Sequence, residues 1–301
     1  MTDALFDHRQ VRRSFSRAAH HYDAAAALQR EVSSRLMESL DYLDDPARAL
    51  PPPQVVVDVG AGPGHASAAM QKRWPKAQVV ALDLALPMLQ ATRANAGGWR
   101  PFARRPQPVC ADARALPLRE GSVDVLFSNL CLQWVEDLPA VFAGFRRVLK
   151  PGGLMLVSTF GPDTLHELRS AFAHADDAPH VSLFPAIGQF GDALVAAGFK
   201  DPVLDRDEFV LHHDTLGGLM RELRTLGATN AMVQRRRHLT GRSRFARAEA
   251  AYERAPDGRL PATWEVIYAQ AWGPPPGAPI RSGGVDEVRV PLSSIPVRRR
   301  R

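Results

Sequence analysis

Asp58-Val59-Gly60-Ala61-Gly62-Pro63-Gly64 places three glycines at alternate positions directly after an acidic residue. The stretch follows a β-branched run, Gln54 to Val59, and opens a helical pattern, which is the context a ligand-holding glycine turn requires. Glycines let the backbone pass close to a ligand without Cβ interference, and the amides of such a turn point at a carboxylate or phosphate. A purely structural tight turn has a similar pattern, and Asp58 separates the two readings. Its carboxylate suits the ammonium of an amino-acid-like cofactor and would repel a dinucleotide pyrophosphate. Asp83 ends the next apolar run. Alone it reads as a helix cap, but at this distance from the glycine turn a strand-end carboxylate can accept both hydroxyls of a ribose. Asp112-Ala113 closes a third short run, where the Asp could bond an adenine amino group and Ala113 donate its backbone N–H. Asp also favours turns.

The elements that must position these groups alternate along the chain. Strands are expected at Gln54 to Val59, Gln78 to Leu82, Pro108 to Cys110, Val123 to Ser128 and Leu154 to Ser158. Helices are expected at Ala66 to Trp74, Pro87 to Asn95 and Leu138 to Leu149, the last stopped by Lys150-Pro151-Gly152-Gly153. Such alternation predicts a parallel, doubly wound α/β sheet. Ahead of it, Phe6 to about Leu43 reads as helical, with Leu28, Val32, Leu36 and Leu40 along one face. Helices at Thr164 to Ala175 and Ala186 to Ala197 follow, and Pro202 to Leu211 and Thr263 to Trp272 read as late strands. Between these late strands, Thr215 to Arg254 reads as a helical lid. The expected division is an N-terminal helical cap over 1–50, a cofactor-binding core over 51–214, and a lid over 215–260. A final strand over 261–272 and a Pro/Arg-rich tail over 273–301 complete it.

Composition bounds the function classes. In 301 residues, 45% are hydrophobic and 23% charged, which is globular usage. No apolar run approaches the roughly 20 residues of a membrane span, and Met1 to Arg13 has no apolar segment of a secretory signal. The two cysteines, Cys110 and Cys131, suit reduced thiols and a cytoplasmic location. Basic residues crowd Arg221 to Arg247 and Arg298 to Arg301 within a formal net charge of +6. They read either as a solvated surface or as a docking face for an acidic partner. No motif supports nucleic-acid binding, His20 and His21 lack metal-ligand spacing, and a monomer is expected.

Asp58 to Gly64, Asp83, Asp112-Ala113 and Leu149 to Gly153 together resemble the class I S-adenosylmethionine-dependent methyltransferases. That resemblance implies a Rossmann-like seven-stranded sheet with S-adenosylmethionine at the carboxyl ends of its strands. The expected cofactor-binding set is Asp58, Gly60, Gly62, Gly64, Asp83, Leu84, Met88, Asp112, Ala113 and Asn129. A narrower resemblance spans most of the chain. Phe15 to Asp23, Ala27 to Gln29, Ser128 to Trp134, Ser158 to Gly161, Thr164 to Arg169 and Leu223 to Asn230 are similar to the malonyl-acyl-carrier-protein O-methyltransferases of biotin synthesis. The tail after Gly273 departs from that family.

The family implies methyl transfer to the free carboxylate of a malonyl thioester on acyl carrier protein, giving the methyl ester that primes the pimeloyl moiety. A carboxylate with a reference pKa near 4 is already ionised at neutral pH, so no general base is needed. Tyr22 and Gln133 are the catalytic candidates, as walls of the reacting pocket. Tyr22 could equally pack on the core, and Trp134 reads as core more than as substrate wall. Arg169 and Arg224 could grip the malonyl carboxylate bidentately, or serve as helix-surface ion-pair partners. Asn129-Leu130, Thr164 to Arg169 and Pro261 to Thr263 also resemble complex I assembly proteins that hydroxylate arginine. Gln133, where those tend to have His, favours methylation.

Overall fold

The computed structural model describes residues 4–48, 50–96, 104–237, 241–275, 277–278, 280–282 and 285–287. Four helices come first: α1 (His8–Ala18), α2 (Tyr22–Ala25), α3 (Ala27–Glu38) and α4 (Asp41–Asp44). The alternating part runs β1 (Val55–Val59), α5 (His65–Arg73), β2 (Gln78–Asp83), α6 (Leu86–Asn95), β3 (Gln107–Cys110) and β4 (Val123–Ser128). It continues through α7 (Leu138–Val148), β5 (Leu149–Phe160), α8 (His166–Ala173), α9 (Ile187–Ala196) and β6 (Lys200–His213). Helices α10 (Leu216–Thr225) and α11 (Arg242–Ala251) precede β7 (Leu260–Trp272), and a short hairpin, β8 (Ile280–Ser282) with β9 (Val285–Glu287), follows. Most of the 273–301 tail lies outside the described residues.

The main sheet has the order β3-β2-β1-β4-β5-β7-β6. The first five strands pair in parallel, as the alternation predicts. Of the last two only β7 is reversed, against the all-parallel expectation: it enters between β5 and β6 and runs antiparallel to both, so β6 keeps the direction of the first five. Seven strands in this mixed order are the class I methyltransferase arrangement that the resemblance implies. Strand β1 shows why the sheet is doubly covered. Val57 and Val59 pack with Phe142, Phe145 and Phe190 of α7 and α9, while Val56 packs with Leu36 of α3 and Met70 of α5. Both faces are buried, so the run is apolar throughout rather than alternating. The same alternation puts Asp58 on the α3/α5 side, at the carboxyl end of the strand.

The N-terminal helical stretch is broken at Ala19 to His21, where the His21 N–H turns back to the Ala18 carbonyl at 2.8 Å, and again at Ala26. These breaks let α1 lie against Ala85 and Met88 through Ala18, while α3 packs on the sheet and Tyr22 stands at the corner between them.

Among its described residues the expected lid is helical only over α10 and α11. After α10, residues 226–237 are irregular and are stitched to the N-terminus: Asp7 N–H donates to the Ala231 carbonyl at 2.8 Å and Val233 N–H to the Leu5 carbonyl at 2.9 Å. Part of the basic run of the lid is also engaged. Arg235 bonds Asp7 at 2.9 Å, and Arg236 and Arg244 each lie 3.3 Å from one Asp176 oxygen. His180 Nε2 lies 2.7 Å from the other oxygen of Asp176, and the His180 ring stacks on Phe172 at 4.0 Å. Burial pushes the Asp176 carboxyl up, but the bonds from His180 and Ala178 and the charge of Arg236 bring it below the usual carboxylate range. One carboxylate therefore ties the chain after α8 to two points of the lid.

Asp176→Asn removes the charge from this junction and leaves two partly buried guanidiniums uncompensated. Charged hydrogen bonds contribute about 1.5–3 kcal/mol each, so the melting temperature should drop by several degrees. A calorimetric scan that matches the unsubstituted chain would show the junction to be dispensable.

Candidate active site

The glycine turn is built by the residues around it. Gly60 and Ala61 N–H groups donate to the Leu82 carbonyl at 2.8 and 3.0 Å. Thr92 Oγ1 donates to the Gly62 carbonyl at 2.9 Å, and Asn95 Nδ2 to the Pro63 carbonyl at 3.1 Å. All three glycines have positive φ, of 74°, 53° and 82°, yet they answer to different demands. A Cβ on Gly60 would stand 2.6 Å from the Cys131 side chain, and one on Gly64 would collide with Thr92. A Cβ on Gly62 would meet nothing within 4 Å. Gly60 and Gly64 are thus required by packing, whereas Gly62 leaves its approach open.

Asp83 organises the turn from the next strand. Its two carboxylate oxygens accept from Gly62 N–H at 2.9 Å and Ala85 N–H at 2.7 Å. Burial raises its pKa against the pull of those amides. Asp58 is 2% exposed and accepts from Ser67 Oγ at 2.5 Å. Burial, with Asp83 adding to it against the Ser67 bond, pushes the Asp58 carboxyl up to about 7. Among the described residues neither carboxylate has a cationic partner. Buried anions are stable when a charge of opposite sign meets them, and an ammonium-bearing cofactor would supply one at Asp58.

The space around these groups fits such a molecule. One cavity is lined by Gly60, Asp83, Leu84, Asp112 and Ala113, and roofed by α1 through Arg12 and Phe15. A second is lined by Asp58, Gly60, Gly62, Asn129 and Tyr22. They share Gly60, so they meet as two ends of one groove along the strand ends. Asp112 is held by Arg114 at 2.7 Å; burial raises its pKa, and the Arg114 bonds more than reverse this. The Ala113 N–H makes no hydrogen bond among the described residues. Met88, expected to touch cofactor, is 1% exposed and packs with Ala18 and Ala85 beneath the groove, outside its lining. A nucleoside at the Asp83–Ala113 end and an amino acid at the Asp58 end match the donors and acceptors present.

A third cavity, of about 1200 Å³ with its mouth included, adjoins the groove. It shares Tyr22 and Gln29 with the Asp58 end, and Phe15, Leu130 and Trp134 with the Asp83 end. Its walls are mainly apolar, with Phe160, Leu165, Phe172 and Trp264 among them. Gln133 lines it too, its Nε2 donating to the Leu130 carbonyl at 2.6 Å while its Oε1 lacks a partner. Arg224 is exposed at the lining and forms no ion pair among the described residues. Burial, reinforced by Asp83, Asp23 and Cys131, raises the Tyr22 phenol well above its ordinary range.

Arg169 does not fit the role expected of it. Its guanidinium nitrogens donate to the carbonyls of Pro162, Thr164 and Ser182 at 3.2–3.4 Å, and it is absent from the cavity lining. It braces the loop before α8 instead of facing a substrate. Sequence reading missed Gln29. Asn129, expected at the cofactor, ties that residue down, since its Nδ2 donates to the Gln29 carbonyl at 3.0 Å and its Oδ1 accepts from Ser158 Oγ at 2.8 Å. A sign of it was available, because Gln29 follows Leu28 and so falls off the apolar face that Leu28 begins.

The two acids carry separate expectations. A cationic ligand needs Asp58 ionised, so S-adenosylmethionine affinity should rise with pH up to about 7 and level off above, with up to about tenfold lost per pH unit below. In Asp58→Asn that slope should vanish, and a slope unchanged in the variant would assign it to another group. Asp83→Ala should weaken binding at least about tenfold, since charged hydrogen bonds of about 1.5–3 kcal/mol each are lost. Calorimetry giving unaltered affinity would remove Asp83 from the site.

Residues 57–157 match the family model described as a methyltransferase domain. The fold is that of the YcgJ protein of Bacillus subtilis, with a TM-score of 0.53 at 15% identity, covering 74% of this chain and 92% of that one. It is likewise that of the BH2331 protein of Bacillus halodurans, with a TM-score of 0.54 at 17% identity, covering 81% and 99%. Much nearer in sequence is the malonyl-[acyl-carrier protein] O-methyltransferase of Xylella fastidiosa (strain M23), 58% identical over 99% of both chains. The enzyme of the same name from Halorhodospira halophila is 47% identical over 98% of this chain and 97% of its own. With names and lengths shared this fully, a hydroxylase reading is not favoured. The chain is an S-adenosylmethionine-dependent methyltransferase and belongs to the malonyl-[acyl-carrier protein] O-methyltransferase family.

Proposed function

We propose that the chain methylates the free carboxylate of a malonyl group carried as a thioester on acyl carrier protein, giving the methyl ester. The observation that carries this reading is the apolar cavity that meets the cofactor groove at Tyr22 and Gln29. A short acyl chain entering it brings its far end to the groove.

The residues proposed to hold S-adenosylmethionine are Asp58 for the ammonium, Gly62 for close backbone approach, Asp83 for the ribose, and Leu84, Asp112 and Ala113 around the adenine. When bound, the cofactor supplies a methyl group on a sulfonium, so that an oxygen–carbon bond forms as the carbon–sulfur bond breaks. The chain has no proton to remove, because the carboxylate is ionised at neutral pH. Its tasks are alignment and exclusion of water. Tyr22 remains protonated at neutral pH and so acts as a hydrogen-bond donor at the junction, not as a base. Gln133 offers a second neutral amide. Neutral donors orient an anion while quenching its nucleophilicity less than a salt bridge does. Arg224, at the cavity lining and exposed, is suited to attracting the carboxylate on entry.

Malonyl thioester should accept a methyl group and acetyl thioester should not, as read by the mass of an ester product. Tyr22→Phe should lower kcat by about tenfold or more, the order of one lost hydrogen bond to a charged group, without changing cofactor affinity. Equal modification of both thioesters, or hydroxylation of a protein arginine, would overturn the reading.

A further inference from the structure

The arginines of the lid and of α1 differ in how they are engaged. In the lid, Arg235 is held by Asp7 and Arg236 and Arg244 by Asp176, while Arg237 and Arg242 are exposed without an ion pair among the described residues. In α1 no arginine is held. Arg9, Arg12, Arg13 and Arg17 are all exposed, and none makes an ion pair or side-chain hydrogen bond among the described residues. Arg221 and Arg224 of α10 are exposed and unpaired in the same way.

Helix α1 gains little from this charge on its own account, since only Arg17, in the last turn, complements the helix dipole. Its eleven residues contain no acid, and Arg9, Arg13 and Arg17 follow one another at i, i+4 spacing, which is mutually repulsive on a helix. Arg9 also sits in the first turn, where a cation opposes the helix dipole. The opposite face of the helix is fully occupied: Val11 packs with Phe6 and Met232, and Ala18 with Ala85 and Met88. No apolar stripe is left for insertion into a membrane surface.

The charged face borders the openings of the site. Arg12 and Phe15 line the cofactor groove, Phe15 also lines the apolar cavity, and Arg224 lines that cavity from α10. The two helices meet directly, since a Cβ on Gly227 would lie 3.1 Å from both Ala18 and Phe15. Of these six unpaired cations, Arg12 and Arg224 thus stand at the linings that a tethered acyl group passes on its way to Tyr22, and the other four lie on the same two helices.

Resting on the carrier-borne substrate proposed above, we infer that the arginine face of α1 and α10, and not the lid loop, is the surface on which the acidic carrier protein docks. Complementary charge steers encounter and sets orientation, and a partner seated here delivers its thioester straight into the cavity. Arg235, Arg236 and Arg244 of the lid cannot serve equally, because Asp7 and Asp176 already hold them, which leaves the lid only Arg237 and Arg242 exposed and unpaired among the described residues.

The test compares malonyl-carrier protein with malonyl-pantetheine on the triple variant Arg9→Glu, Arg13→Glu, Arg17→Glu. None of these three residues lines the groove or the cavity. The KM for the carrier-borne substrate should rise by about tenfold, and by more at low salt. Turnover of malonyl-pantetheine should not change, which also shows the variant to be folded. Reversal at Arg235 and Arg236 breaks internal pairs and should impair both substrates alike. The surface is overturned if the α1 variant slows both substrates equally or neither. It is overturned also if the unsubstituted chain binds a duplex RNA more tightly than the carrier. An unsubstituted chain that methylates malonyl-pantetheine but ignores the carrier defeats the docking inference alone. One that methylates neither defeats the substrate reading and the docking inference with it.

Discussion

Two carboxylates, Asp58 buried and Asp83 half-buried, stand at the ends of adjacent parallel strands, and among the described residues no cation neutralises either. Asp83 is tolerated because two backbone amides point at it, and those same amides shape the turn after β1 and the start of α6. Asp58 has Ser67 alone, through its hydroxyl and its backbone N–H, and is held between its protonated and ionised forms near neutral pH. A chain folded around such a pair is electrostatically incomplete, and the missing charge is the one an amino-acid-like cofactor carries. The pairing of β1 with β2 keeps these two acids close together, and the turn and the groove are built around them.

The second requirement is a dry compartment beside them, and the sheet alone does not make one. The N-terminal helices and the segment between β6 and β7 enclose it together. Asn129 ties α3 to the ends of β4 and β5, the irregular lid pairs with the residues before α1, and Asp176 fastens the lid to the chain after α8. Tyr22 owes its position to the break between α1 and α3, not to either helix. Cap, lid and cofactor groove are therefore one mechanical unit, although they come from distant parts of the chain.

The local half of this arrangement is readable in the sequence. The glycine turn, Asp83 and Asp112 announce themselves because strand, turn and helix are neighbours along the chain, and their spacing carries the geometry. Side-chain direction over long separations is not readable in that way. Arg169 sits in a motif that suggests substrate contact, but its guanidinium finds the carbonyls of Pro162, Thr164 and Ser182 first. Arg235 and Arg236 look like free surface charge because their partners, Asp7 and Asp176, lie far away in the chain. The breaks at Ala19 to His21 and at Ala26 carry no Pro or Gly to mark them. The placing of β7 between β5 and β6 depends on which edge is open when the chain returns, which periodicity does not encode.

That placing of β7 bears on how such enzymes can diversify. His213 and Leu260 are paired across β6 and β7, so the lid leaves the sheet and rejoins it at neighbouring positions of one ladder. Its ends are held together by the strands whatever lies between them. The entropy of closing a loop grows only slowly with its length, so residues can be added, lost or exchanged with little penalty in those parts of the lid that make no tie to the N-terminus or to Asp176. The cofactor acids lie on β1 and β2, at the other side of the sheet, and do not register such changes. Acyl selectivity can then drift across descendants through one hairpin, while the chemistry of methyl donation is inherited intact.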